Sequence, residues 1–126
     1  MGTLTVKGAI IAGPDRPTTD FPTAETNVAL VSKVREYAVA MPHALVSVAS
    51  PSAYVDVPGI GDAVTQVAFL YLRAEASLLF RLTTADGTSV LRIDGLVVLE
   101  FAAAAPLTQL EVQGGGRYEI LAAGPV

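Results

Sequence analysis

Cysteine and tryptophan are both absent from this 126-residue chain, and histidine occurs once, at His43. Without cysteine there can be no disulfide framework, thiolate metal site or thiol nucleophile. Oxidising and reducing compartments are then equally compatible, and stability has to come from packing. A single histidine leaves a histidine-based dyad or triad one choice only. Its place beside Pro42, between two strand-like runs, reads as that of a turn residue. With neither cysteines nor paired histidines, a zinc centre is disfavoured, and neither a metal nor any other cofactor is expected. The missing tryptophan leaves Tyr37, Tyr54, Tyr71 and Tyr118, which read as core or interface residues rather than a stacking platform for sugars.

Charge is also scarce. Charged residues make up 16% of the chain and hydrophobic ones 52%, against about 25% charged in an ordinary soluble domain. A surface so poor in charge implies that part of the apolar excess lies in contacts between subunits. The net charge of −4 has the wrong sign for a domain that grips a phosphate backbone, so no direct nucleic-acid grip is expected. Long apolar runs are missing too, because Arg73, Glu75, Arg81, Arg92, Asp94 and Glu100 interrupt them before they reach the length of a membrane-spanning helix. The chain reads as soluble, with no membrane partner, and Met1 to Gly13 runs into Pro14 and Asp15 without a complete signal-peptide pattern.

Chemistry-bearing clusters are few. Asp15, Asp20 and Glu25 share one irregular stretch, and Asp56 and Asp62 bracket the turn VPGIG. Either set could offer oxygen ligands to calcium, but neither has the regular spacing of a calcium loop, and turn-making explains both. Gly59-Ile60-Gly61 and Gly114-Gly115-Gly116 lack the strand, glycine loop and helix order of a nucleotide site. Asp86-Gly87 and Asp94-Gly95 read as turns. Arg73, Arg81 and Arg92 could form a patch for an acidic partner, or pair with cross-strand acids such as Glu100 and Glu111. No catalytic, cofactor-binding or metal-binding residue is therefore assigned, and an enzyme is not expected.

What the chain does contain is strand signal. Thr3 to Ala12 is β-branched and ends at Gly13-Pro14. Residues 13–26, GPDRPTTDFPTAET, carry three prolines and read as an ordered loop or extended arm. Residues 27–41 fit a helix or a strand, and four valines favour the strand. Pro42 is expected to stop it, with short strands following at Ala44 to Ala49 and Tyr54 to Val57 on either side of Ser50-Pro51-Ser52. Residues 64–124 hold the clearest array: VTQVAFLYLRA, SLLFRLTT, TSVLRI, LVVLEF, LTQLEVQ and RYEILAA. Short connections are expected at Ala74 to Ala76, Ala85 to Gly87, Asp94-Gly95, Ala102 to Pro106 and Gly114 to Gly116. That spacing suits hairpins and is too short for parallel crossovers. The runs VAFLYL and LVVLEF are apolar on both faces, as when a sheet packs on a second sheet and also on another subunit. The sum is a single all-β domain, an antiparallel β-sandwich of about eight strands, jelly-roll-like.

The run FLYLRAEASLLFRLTTADG at Phe69 to Gly87, IDGLVVLEF at Ile93 to Phe101 and LTQLEVQGGGRYEILAAG at Leu107 to Gly124 resemble small virion structural proteins of tailed bacteriophages. These are β-sandwich subunits of the head surface, neck or tail, and the resemblance covers about half the chain. It implies a non-enzymatic, repeated subunit localised to the virion and assembled in the host cytoplasm. Its partners would be copies of itself and other virion proteins, and residues 13–26 would suit a reaching arm. A competing expectation is a carbohydrate- or protein-binding sandwich using Ser50 to Ala53 and Pro58 to Asp62. A more distant one is a carboxylate hydrolase built on Asp56 and Asp62.

Overall fold

The structure is a computed structural model that describes residues 2–5, 8–12, 26–30 and 34–125. Those residues form seven strands and no helix: β1 (Gly2–Thr5), β2 (Gly8–Ala12), β3 (Thr26–Leu30), β4 (Val34–Asp56), β5 (Phe69–Thr84), β6 (Gly87–Glu100) and β7 (Gln109–Pro125). Two compact units are distinguishable, one comprising Thr3–Glu36 and the other Tyr37–Val126 with Met1–Gly2. In the first, β2 and β3 form an antiparallel ribbon with Ile10 opposite Val28. The main sheet is open and five-stranded, in the order β1-β4-β7-β5-β6. The strand reading of residues 27–41 holds in their described part, whereas the loop or arm at 13–26 lies, except for Thr26, outside the described residues.

The all-β, antiparallel expectation is met, but the two stacked sheets of a jelly-roll-like sandwich are replaced by one sheet of long strands. SLLFRLTT continues the strand that begins at Phe69, TSVLRI and LVVLEF are both β6, and LTQLEVQ and RYEILAA are both β7. Three of the expected connections lie inside these strands. Glu75 to Ser77 sit between the pairs Ala74↔Gly95 and Leu78↔Ile93, so three residues of β5 face the single Asp94 of β6. Gly114 to Gly116 stay within β7. The real connections are the Ala85-Asp86 hairpin, where the Asp86 amide donates to the Thr84 hydroxyl (3.2 Å), and the turn at Ala102 to Ala105.

Neither Pro42 nor Pro51 ends a strand, contrary to expectation. Both sit inside β4 at places where its register against β7 slips, between Met41 and Ala44 and between Ser50 and Val55. A proline has no amide hydrogen to give the ladder, and a bulge is where the ladder asks for none. At the larger bulge the Ser50 hydroxyl donates to the Ala53 carbonyl (2.8 Å) and the Gln113 side-chain amide to the Pro51 carbonyl (3.0 Å).

The irregularities of β4, β7, β5 and β6 line up across the sheet, since Ser50 faces Gly114 and Ala74 faces both Tyr118 and Gly95. The sheet bends along that line. Val67 exchanges backbone hydrogen bonds with Leu107 (2.8 and 3.0 Å), and its neighbour Ala68 donates to Ala123 (2.8 Å). Leu107 and Ala123 flank or end the same strand, and a straight strand would hold them roughly 50 Å apart at about 3.3 Å per residue. The strand therefore doubles back, and the two halves of one sheet face pack against each other.

Inward-facing residues form that core. Leu70, Leu72, Leu78, Phe80, Leu110, Val112, Tyr118 and Ile120 are fully buried, and no polar or charged residue is buried among the described residues. Phe80, from one half, meets Tyr118, from the other, edge to face at 5.4 Å. The strip Val57, Ile60, Val64, Val67 and Leu107 is buried with them.

The Tyr118 hydroxyl has no hydrogen-bond partner among the described residues, and burial pushes its pKa up to about 12. A desolvated, unpaired hydroxyl opposes folding. Tyr118→Phe is expected to raise stability by about 1 kcal/mol, measured by urea unfolding at neutral pH. The phenol is also a source of alkaline sensitivity. Its folded-state pKa lies above the unfolded value near 10, so its ionisation leaves stability unchanged below pH 10 and lowers it as pH rises from there towards 12, where the unfolded chain ionises first. The Phe variant should lack that part of the decline. A variant less stable than the parent at neutral pH would contradict this account.

Candidate interaction surface

The outward face of the sheet carries the polar chemistry and most of the exposed apolar side chains. Register sets Leu45 opposite Glu119, Glu119 opposite Arg73, and Arg73 opposite Leu96; the next row joins Leu121, Tyr71 and Val98. Glu119 is the hub. Its carboxylate accepts a hydrogen bond from the Tyr71 hydroxyl at 3.1 Å, lies 3.4 Å from His43 Nε2, and is 3.9 Å from Arg73 Nη1. Hydrogen bonding to His43 and then Tyr71 holds the Glu119 carboxyl below the usual carboxylate range. Tyr71 is shifted upward by burial and by the same carboxylate.

In the other half of the sheet Arg81 forms a two-pronged pair with Glu111 (2.8 and 2.6 Å) and lies 4.2 Å over the Tyr54 ring. The guanidinium keeps the Glu111 carboxyl low, as a fork-to-fork contact should. Arg117 pairs with Glu75 at 2.9 Å, and Arg92 donates to the Ser77 hydroxyl at 3.1 Å. Arg81 and Arg117 are thus paired with acids within the sheet, and Glu111, one of the cross-strand acids expected to take an arginine, takes Arg81.

His43 is not a turn residue: it lies in β4, at a bulge that lets it reach Glu119. Asp56 ends β4, with the Gln109 amide 3.5 Å away, and Asp62 lies in the following turn. The described residues hold no group of three acids or histidines placed for a metal. Asp15, Asp20 and Glu25 fall outside the described residues. Ser50 to Ala53, expected as a loop, belongs to the bulged part of β4, while Pro58 to Asp62 does form turns. No helix in the described part is long and apolar enough to cross a membrane.

Sequence reasoning missed the Glu119 hub, because it and its partners come from three strands whose register is not written in the sequence. The apolar part was more legible. LVVLEF, apolar on both faces, turns Val97 and Leu99 towards the core and leaves Leu96 64% and Val98 43% exposed. Val90 and Leu91 are exposed on the same strand. β6 lies at the edge of the sheet, so four large apolar residues sit on a strand whose outer side pairs with no described strand. Edge strands are usually shielded by charged side chains, lysine above all, by proline, by short length or by a bulge of their own. β6 runs for 14 residues, GTSVLRIDGLVVLE, with neither lysine nor proline and with charge only at Arg92, Asp94 and Glu100, and the extra residues at its one register shift belong to β5. Comparison with family models, curated proteins and solved structures finds no match.

Proposed function

We propose that this chain is a non-enzymatic structural subunit that assembles with copies of itself, and with other proteins of a particle, through apolar β surfaces. The observation that carries this reading is the long edge strand β6, which has no described strand on its outer side and exposes Val90, Leu91, Leu96 and Val98, continuous with an outward face that also bears Leu45. An exposed strand edge offers a ready template of amides and carbonyls, and exposed apolar side chains supply the area that makes pairing stable. The polar hub around Glu119 is internally compensated, so it positions strands rather than presenting a free charge. A bent sheet serves here as the β-sandwich of such a subunit, with both halves closing one core.

The setting we propose is the virion of a tailed bacteriophage, at the head, neck or tail, where such a subunit repeats. The resemblance of residues 64–124 supports that setting, and the scarcity of charge supports the assembly. Light scattering of the purified chain over a dilution series tests the reading. A discrete multimer is expected, and Leu96→Lys with Val98→Lys should weaken its association at least tenfold while the circular dichroism spectrum stays β-rich. A monomer at every concentration would overturn it.

A further inference from the structure

We infer that β6 pairs with β6 of a second copy, antiparallel about a two-fold axis at Ile93, joining two five-stranded sheets into one of ten. This deepens the assembly reading and rests on it. In a two-fold pair each contact occurs twice, residue i facing j and j facing i. Residues directly opposite share a face, so the outward-facing Val90, Arg92, Asp94, Leu96 and Val98 must meet even-numbered partners.

Few registers satisfy both conditions, and charge separates them. An axis at Arg92 sets that arginine against itself, an axis at Asp94 does the same for the aspartate, and an axis at Val97 opposes Asp94 to Glu100. Centres at Leu91 or Gly95 face both charges with uncharged residues. A centre at Leu96 joins Arg92 to Glu100 but sets Asp94 against Val98 and keeps only residues 92–100 in the pair. The axis at Ile93 opposes Arg92 to Asp94 twice and Val90 to Leu96 twice, and it keeps residues 87–99 in register. Opposite charges directly across a strand pair stabilise it and like charges destabilise it.

The bend points to the same place. The sheet folds where Glu75 to Ser77 oppose Asp94, next to Ile93. A two-fold axis there sets one bend beside the other with both concave to the same side. An axis far along the strand would place bent backbone against straight.

Association is measured for Arg92→Asp, Asp94→Arg and the double exchange. Each single change creates two like-charge contacts about the axis, and each should raise the dimer dissociation constant at least tenfold. The double exchange should return it to within about threefold of the parent. Because the chain has no cysteine, Val90→Cys and Leu96→Cys give an independent readout that leaves the charges untouched. Mixed under oxidation, the two variants should form a heterodimeric disulfide that neither forms efficiently alone. If the parent associates while the charge variants do so equally well, or Val90→Cys cross-links to itself, assembly stands and this register is overturned. If the parent is monomeric throughout, both fall.

Discussion

Replacing Gly114 and Gly116 together by alanine is expected to destabilise the folded chain by on the order of 5 kcal/mol, while Gly115→Ala changes stability little. The two outer glycines of the triplet point into the inside corner of the bend. A Cβ on Gly114 would lie 2.8 Å from Leu78 Cδ2, and one on Gly116 would lie 2.8 Å from the Ala76 Cβ. Their φ angles are +136° and +152°, where an L side chain is strained by roughly 1 to 3 kcal/mol per residue. Overpacking adds a similar amount at Gly116, where the Ala76 Cβ cannot turn aside, and less at Gly114, where the end of the Leu78 side chain can. Gly115 faces outward, its φ is not positive, and a methyl group placed on it would meet nothing within 4 Å. Urea unfolding of the double variant beside the Gly115 control separates the corner from general glycine flexibility. Equal effects in the two would remove the corner as the cause.

Phe80→Ala should cost about 3 to 5 kcal/mol, the range for removing a fully buried aromatic ring. For a chain of this size the corresponding fall in melting temperature is roughly 10 to 20 °C. Phe80 is fully buried and stacks edge to face on Tyr118, although along the strands the two are six residues apart, Phe80 facing Val112 and Ala74 facing Tyr118. In a flat sheet that offset is roughly 20 Å. The ring thus joins the two halves of the bent sheet, and its loss should loosen the fold as well as hollow it. Phe80→Leu, which keeps an apolar side chain, should recover more than half of the loss. A loss below 1 kcal/mol for the alanine variant would mean that the two halves do not share a core.

The sequence by itself determined that this chain is all-β and antiparallel. Alternation in SLLFRLTT and LTQLEVQ, with short turn-forming gaps between runs, demands hairpins whatever the wider fold. It also determined where apolar surface would be left over, because LVVLEF has more apolar residues than one core face can take. Tertiary structure alone decided that Gly114 to Gly116, Asp94-Gly95 and Ala74 to Ala76 are bends within strands and not connections between them. Small residues and glycines permit both conformations, and the choice rests on whether the flanking runs keep one register across their neighbours. Pro42 and Pro51 are ambiguous for the same reason, since a proline stops a regular ladder but fits a bulge. His43, Tyr71, Arg73 and Glu119 became neighbours only through strand register. That register is set by packing of the buried side chains over long separations, and no local run of residues encodes it.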